Sequence, residues 1–390
     1  MRARRLVIVA GAIGSCGAMS ALGQGAARSY SFVELSPPSG STVTRVYAIN
    51  NKGESVGSRE SPSGTRAVMW DPTGVGTNLG LAMDVDSATA IDINDEGTVL
   101  YRGHTGVGAG WYARSNKAEY TKLEPPSGYD MVSAGALNSY GEVVGAVDDD
   151  GSQIGVVWRP TPGGMATELF PSTVNSFVNG TAINDSGIAA FAIFTGSGRT
   201  TIVDRRTGSE DMSNIGAQVA WVEDLNNSGS ALVVTDGDGL VLETYATGLG
   251  SVFPFGCDGY CQQYGDGDVD GYALNEMGEI VGRSVTVEFD GDGEPTGDNG
   301  IYEAFVWSSD TGTMKLVDLI VEGDTAGWFL ERAVDINDAG WIVGNGTKNG
   351  EPRSFLLIPR EPCVGDANRD GQVTPADFSA WVSAFNSGCD

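Results

Sequence analysis

The sequence predicts an all-β fold: a seven-bladed β-propeller followed by a small C-terminal calcium loop and helix. Two observations carry that expectation. An apolar residue, then Asn, then Gly three positions after the Asn recurs seven times through the middle of the chain. Near the end, Asp366 to Asp377 spaces oxygen-bearing side chains as an EF-hand-type loop does.

The chain opens with the pattern of an export signal. Arg2, Arg4 and Arg5 precede a short apolar stretch, Leu6 to Ile13, and small residues fill much of Ser15 to Gly25. That stretch is too short to span a bilayer, so residues 1–27 read as a cleaved signal peptide and the protein as secreted or held at the cell surface. Ile13-Gly14-Ser15-Cys16 loosely matches a lipoprotein box, which leaves acylation of Cys16 as a variant. No other segment has the length and apolarity of a membrane span.

Charge narrows the partners. The chain carries 23 Lys+Arg against 51 Asp+Glu, a formal net charge of −28. Such a surface repels nucleic acid and anionic membranes and suits cation capture. With 41% hydrophobic residues it still has the material for a folded core.

Residues 28–359 carry the repeats. The apolar-Asn pairs are Ile49-Asn50, Ile93-Asn94, Leu137-Asn138, Ile183-Asn184, Leu225-Asn226, Leu274-Asn275 and Ile336-Asn337, with glycines at 53, 97, 141, 187, 229, 278 and 340. The asparagines lie 44, 44, 46, 42, 49 and 62 residues apart, the period of propeller blades. Asn suits the first position of a turn because its side chain bonds a nearby backbone N–H, and Gly supplies the positive φ at the end. The asparagines are therefore read as turn residues, ahead of a ligand-binding ring. A second glycine (Gly57, Gly145, Gly282, Gly344) is read as closing the return strand. A third strand often ends in Trp (Trp70, Trp158, Trp307), read as packing between blades. A fourth carries leucine, as in Tyr120 to Leu123 and Lys315 to Leu319.

The last unit supplies only three strands and ends near Arg353 to Ile358. Its fourth is expected at the other end of the chain, where Ser31 to Gly40 mirrors Lys122 to Gly128. A strand borrowed from the N-terminus closes the ring and removes exposed sheet edges. Units four and five are the most degenerate, which leaves six or eight blades as alternatives.

These units resemble the bacterial extracellular HAF-type repeats, which pair an Ala-x-Ala-Ile-Asn-x-x-Gly hairpin with an Ala-Phe-x-Trp strand. The resemblance spans about residues 45–358, and the hairpin half is the better kept. It implies architecture and an extracellular setting but no reaction.

Residues 360–390 form a linker and a calcium module. Asp366, Asn368 and Asp370 occupy loop places 1, 3 and 5, Gly371 turns at 6, Gln372 offers its carbonyl at 7, and Asp377 closes at 12. That set suits Ca2+, a hard cation taking six to eight oxygens. In the helix that follows, Phe378, Trp381, Val382 and Phe385 form one apolar stripe. A single helix cannot bury such a stripe, so Phe378, Trp381 and Phe385 are expected to pack on the propeller or on a docking partner. The segment looks like a GC-type dockerin module, with Gly-Asp-x-Asn-x-Asp-Gly, Asp-Phe and a terminal Gly-Cys. The resemblance implies calcium binding and docking of a protein or cell-surface partner through residues 363–390. It departs from the usual pair of loops in having one.

Four cysteines besides Cys16 fall as two local pairs, Cys257 with Cys261 and Cys363 with Cys389, the natural disulfide pairing for an exported chain. The two other connectivities would tie the tail to a mid-chain loop. A four-cysteine zinc site competes poorly, because neither pair has two-residue ligand spacing. Acidic runs at 236–238, 266–270 and 290–294 lack full loop spacing and read as solvated turns.

Catalytic signals are sparse. The chain has one histidine, His104, and no phosphate loop or dinucleotide fingerprint. The leading expectation is a secreted binding scaffold docked through its tail, with a glycan as a possible ligand. The alternative is an extracellular polysaccharide-degrading hydrolase or lyase carrying the same tail, since two acids 5–10 Å apart suffice for glycoside chemistry.

Overall fold

The computed structural model describes residues 7–8, 28–38, 43–82, 85–105, 108–115, 119–161, 164–170, 177–194, 199–204, 209–211, 220–235, 239–244, 253–254, 269–286 and 301–360. In the tail it describes 375, 376, 378, 379 and 382. Apart from the short pairing of Val7–Ile8 with Phe253–Pro254, the described strands form seven antiparallel-built sheets of three to five strands, taken in chain order.

Each sheet begins with a strand that ends one residue before a repeat asparagine: Thr44–Ile49, Ser87–Ile93, Asp130–Leu137, Phe177–Ile183, Ala220–Leu225, Val269–Leu274 and Trp328–Ile336. The first sheet continues through Ser55–Arg59, Arg66–Trp70 and Gly76–Asn78 as a simple meander. Apolar side chains pack between successive sheets. One cluster joins Val56 and Ala67 of the first sheet to Ala88, Val99 and Tyr101 of the second. Another joins Val281 and Val306 of the sixth to Ala333, Ile342 and Phe355 of the seventh.

The last sheet is completed as expected from the N-terminus. Tyr30–Glu34 pairs antiparallel with Glu351–Pro359, and Tyr30 and Phe32 are buried. A fifth strand that the sequence did not suggest, Ile320–Glu322, pairs in parallel with the outer edge of Tyr30–Glu34. The mirrored segments occupy equivalent places. The Trp70 indole donates to the Ser36 carbonyl at 2.9 Å, and the Trp158 indole to the Glu124 carbonyl at 3.0 Å. Beside them Leu35 and Leu123 are buried alike, and both tryptophans are fully enclosed, so these aromatics pack rather than present a platform.

Two local expectations need correction. Lys315 to Leu319 is not a strand. The fourth strand is Gly312–Lys315, and Leu316–Leu319 turns into a short 3-10 helix that buries Leu316 and Leu319. A three-residue spacing puts both leucines on one face of a three-fold helix. Nor do the second glycines close return strands: Gly57, Gly145, Gly282 and Gly344 lie inside Ser55–Arg59, Val143–Asp149, Ile280–Thr286 and Ile342–Lys348.

The reason is a bulge that every first strand carries at one position. The register shifts fall between Val46/Ala48, Ala90/Asp92, Ala134/Ala136, Gly180/Ala182, Val222/Asp224, Gly271/Ala273 and Ala333/Asp335. Each bulge inserts one extra residue and bends the strand. The bend drives a first-strand carbonyl into the second strand. A Cβ on Gly57 would stand 2.0 Å from the Arg45 oxygen, and one on Gly145 2.1 Å from that of Ser133. Glycine is what lets the two backbones approach.

Candidate functional site

The seven turns converge on one depression of about 200 Å³, lined by each repeat asparagine and its two chain neighbours. Every turn is built the same way. The Asn Oδ1 accepts the N–H four residues on, as Glu54 N–H to Asn50 at 2.9 Å and Trp341 N–H to Asn337 at 2.9 Å. All seven turn glycines hold φ between +73° and +91°, where a side chain would be strained.

The asparagine's own carbonyl, which in six of the turns accepts the turn glycine N–H, uses its second lone pair to receive a bond from the unit before. Asn50 Nδ2 donates to the Asn94 carbonyl, Asn94 to 138, 138 to 184, 184 to 226, 226 to 275, 275 to 337, and Asn337 back to Asn50, at 2.8–3.2 Å. The chain of bonds closes on itself. All seven asparagines are buried, so each donor and acceptor needs its partner. Asn supplies donor and acceptor at one fixed reach; Asp has no donor, and Gln is a methylene too long. The turn role expected from the sequence is present, and the link between units is an addition to it.

A second circle surrounds the first. At six of the seven seams the N–H after the asparagine donates to the side chain at the same place in the next unit, as in Asn51 to Asp95 and Asp338 to Asn51. These side chains are thereby occupied in joining units.

Behind the turns, two residues before the asparagine, three units carry Asp and four carry Ala. Each Asp binds across its seam. Asp92 accepts Ile93 and Leu137 N–H, Asp224 accepts Leu225 and Leu274, and Asp335 accepts Ile336 and Ile49, all at 2.7–2.8 Å. Burial raises all three carboxyls above the usual carboxylate range, Asp224 to about 7, against the pull of those backbone bonds. The three acids also sense one another: Asp92 raises Asp224, and both raise Asp335. They keep a little surface toward the interior yet are enclosed by protein, and it is the enclosure that governs their protonation.

The first strands line an axial channel running away from the turns. Five residues before each asparagine stand Arg45, Thr89, Ser133, Asn179, Asp270 and Arg332 in units one to four, six and seven. Neighbours at this level meet, since Ser133 Oγ donates to Asn179 Oδ1 at 2.9 Å. At the bulge level stand Tyr47 and Tyr272, among others. Arg283 grips Asp270 at 2.7 Å and lies 4.3 Å over the Tyr302 ring. Tyr272 donates to the same Asp270 carboxylate at 3.4 Å. Burial and the Asp270 charge push the Tyr272 phenol up to about 12, while Arg283 and Arg332 pull it down.

The residues expected to bind calcium, Asp366, Asn368, Asp370, Gln372 and Asp377, lie outside the described residues. So do Cys16, Cys257, Cys261, Cys363, Cys389, Trp381 and Phe385, and the acidic runs except Asp270. Asp270 lies in the strand Val269–Leu274 and is engaged with Arg283 and Tyr272. Phe378 is described and stands 69% exposed. His104 sits in Val99–Thr105, away from the channel levels described above. No described helix is long and apolar enough to cross a membrane.

Neither protein-family profiles nor curated proteins match the chain. Solved structures do. The chain is similar to an oligogalacturonate lyase from Vibrio parahaemolyticus at 11% identity over 85% of this chain and 98% of that one, TM-score 0.52. It is similar to YCF48 bound to D1 peptide at 10% identity over 86% and 98%, TM-score 0.52. A puromycin-hydrolyzing peptidase from Mycobacterium tuberculosis aligns at 12% identity over 85% of this chain and 55% of that one, TM-score 0.51. The neighbours are β-propeller proteins, and this chain shares their fold. Identities this low speak to the fold alone.

Proposed function

We propose that the chain is a closed seven-bladed propeller, exported from the cell, that works as a binding scaffold held in place by a calcium-ordered, dockerin-like tail. The observation that carries the scaffold reading is the closed circle of asparagine bonds. It ties first unit to last and spends the repeat signature on rigidity, leaving the varied channel residues to select a ligand. The seven sheets favour the blade count. Neighbours sharing the fold act as a lyase, a peptide-binding protein and a peptidase, so the fold assigns no reaction.

The tail reading rests on residues 363–390. Ca2+ is held by Asp366, Asn368, Asp370 and Asp377 with the Gln372 carbonyl, Cys363 bonds Cys389 around the loop, and Phe378, Trp381 and Phe385 meet the docking partner. A Cys257–Cys261 disulfide braces a loop of the ring. Calorimetry of the full mature chain tests this. One Ca2+ per chain, lost in Asp366→Ala and Asp370→Ala, is expected together with calcium-dependent retention on isolated cell-surface material. Absence of Ca2+ uptake by the oxidised protein overturns the tail reading.

A further inference from the structure

Asn-Gly pairs occur in the chain at 179, 299, 345 and 349. The pair is chemically fragile, because glycine has no side chain to shield its amide nitrogen from the asparagine carboxamide beside it. Asn299 and Gly300 lie outside the described residues, and the structure sets the other three pairs apart. Asn345 is buried where unit seven meets unit one. Its amide donates to the Val46 carbonyl and accepts from Val46 N–H and the Ser354 hydroxyl, each at 2.9 Å. Asn179 is exposed but lies inside the strand Phe177–Ile183, opposite Ala192, and a Cβ on Gly180 would stand 2.4 Å from the Gly145 nitrogen. Asn349 and Gly350 are instead the two residues that join Ile342–Lys348 to Glu351–Pro359. Both are exposed, at φ +52° and +84°, as in a two-residue hairpin turn. Neither the Asn349 carboxamide nor the Gly350 N–H has a hydrogen bond among the described residues, and the tip is tied down by Asn349 N–H to the Gly327 carbonyl at 2.7 Å.

We propose that Asn349 is a site of spontaneous covalent modification, converting to aspartate and isoaspartate through a succinimide formed with Gly350. The Gly350 amide nitrogen attacks Asn349 Cγ and closes a five-membered ring. The Cγ–Nδ2 bond breaks, and Nδ2 leaves as ammonia with the proton from the Gly350 N–H. Water then opens the ring at either carbonyl, giving an acid whose proton the ammonia takes up. Ring closure requires the asparagine to leave its resting backbone conformation. An exposed hairpin tip does so by opening locally, whereas Asn345 must first part a seam and Asn179 a strand ladder. The product carries a new negative charge beside the Gly327 carbonyl, and isoaspartate adds one carbon to the main chain of a turn that has only two residues.

The test is incubation of the folded full mature chain in mildly alkaline buffer, followed by peptide-resolved mass spectrometry and enzymatic methylation of isoaspartate. Product in the peptide holding Asn349 is expected to accumulate roughly tenfold or more faster than in those holding Asn179 or Asn345. In urea the three rates should converge, because the sequence neighbours alone then set them. Asn349→Gln, at an exposed position, should remove the product from its peptide. The proposal is overturned if Asn349 in the folded chain reacts no faster than Asn179 or Asn345, if the differences persist in urea, or if Asn349→Gln leaves the product in place.

Discussion

The two ends of the axial channel obey opposite rules. At the turn end every unit presents the same Asn, donating to the next Asn and accepting from its own hairpin. At the far end, five residues earlier on the same strands, neighbouring units present Arg, Thr, Ser, Asn, Asp and Arg. One end is uniform because each seam poses the same bonding problem. The other is free to vary because, among the described residues, a side-chain bond at this level crosses only the seam from Ser133 to Asn179.

Substitutions that exchange these rules give the largest effects. Asn94→Asp keeps the acceptor but sets a carboxylate against the Asn138 carbonyl that Asn94 now bonds. It should cost about 3 kcal/mol in urea unfolding, whereas Asn179→Asp at the far end should cost less than about 0.5 kcal/mol. Equal costs would erase the distinction. Gly145→Ala sharpens it at a single residue. The new methyl meets the Ser133 carbonyl and should cost about 2 kcal/mol. Ser133→Ala, which removes only an exposed bond, should cost less than about 0.5 kcal/mol.

The buried acids give a smaller, pH-dependent effect. Asp224 is raised from the ordinary 3.8 to about 7, so the folded state holds a proton that the unfolded chain releases. Stability from this group is complete below about pH 4 and is lost as pH rises through about 7. The native protein should therefore lose more stability between pH 5 and 8 than Asp224→Asn does, measured as urea midpoints. A steeper loss in the variant would reverse the assignment.

Much of the turn end was legible in the sequence, because a hairpin is local and its Asn and Gly fall within four residues. The bond from each Asn to the next was not, since its partner stands 42 to 62 residues away, or 287 where the circle closes, and leaves no nearby mark. A signal for the seam acids did exist. The position two before each asparagine holds only Ala or Asp, a restriction that strand propensity does not require. The bulge was announced by the second glycines, misread as strand ends, and the 3-10 turn by the spacing of Leu316 and Leu319. The channel lining could not be read off, because each bulge resets which side chains of a strand face inward. The closing strand was legible only because Ser31 to Gly40 repeats the wording of Lys122 to Gly128.

The three seam acids have a consequence for how such a ring can be strengthened. They sit in units two, five and seven, no two adjacent, which spreads three acids around seven places as evenly as possible. Asp92 raises the proton affinity of Asp224, and both raise that of Asp335, so a further carboxylate in this circle would make its neighbours harder to ionise. A clasp of this kind carries its own ceiling: an acid placed at any of the four alanine positions would be buried beside acids that already resist ionisation.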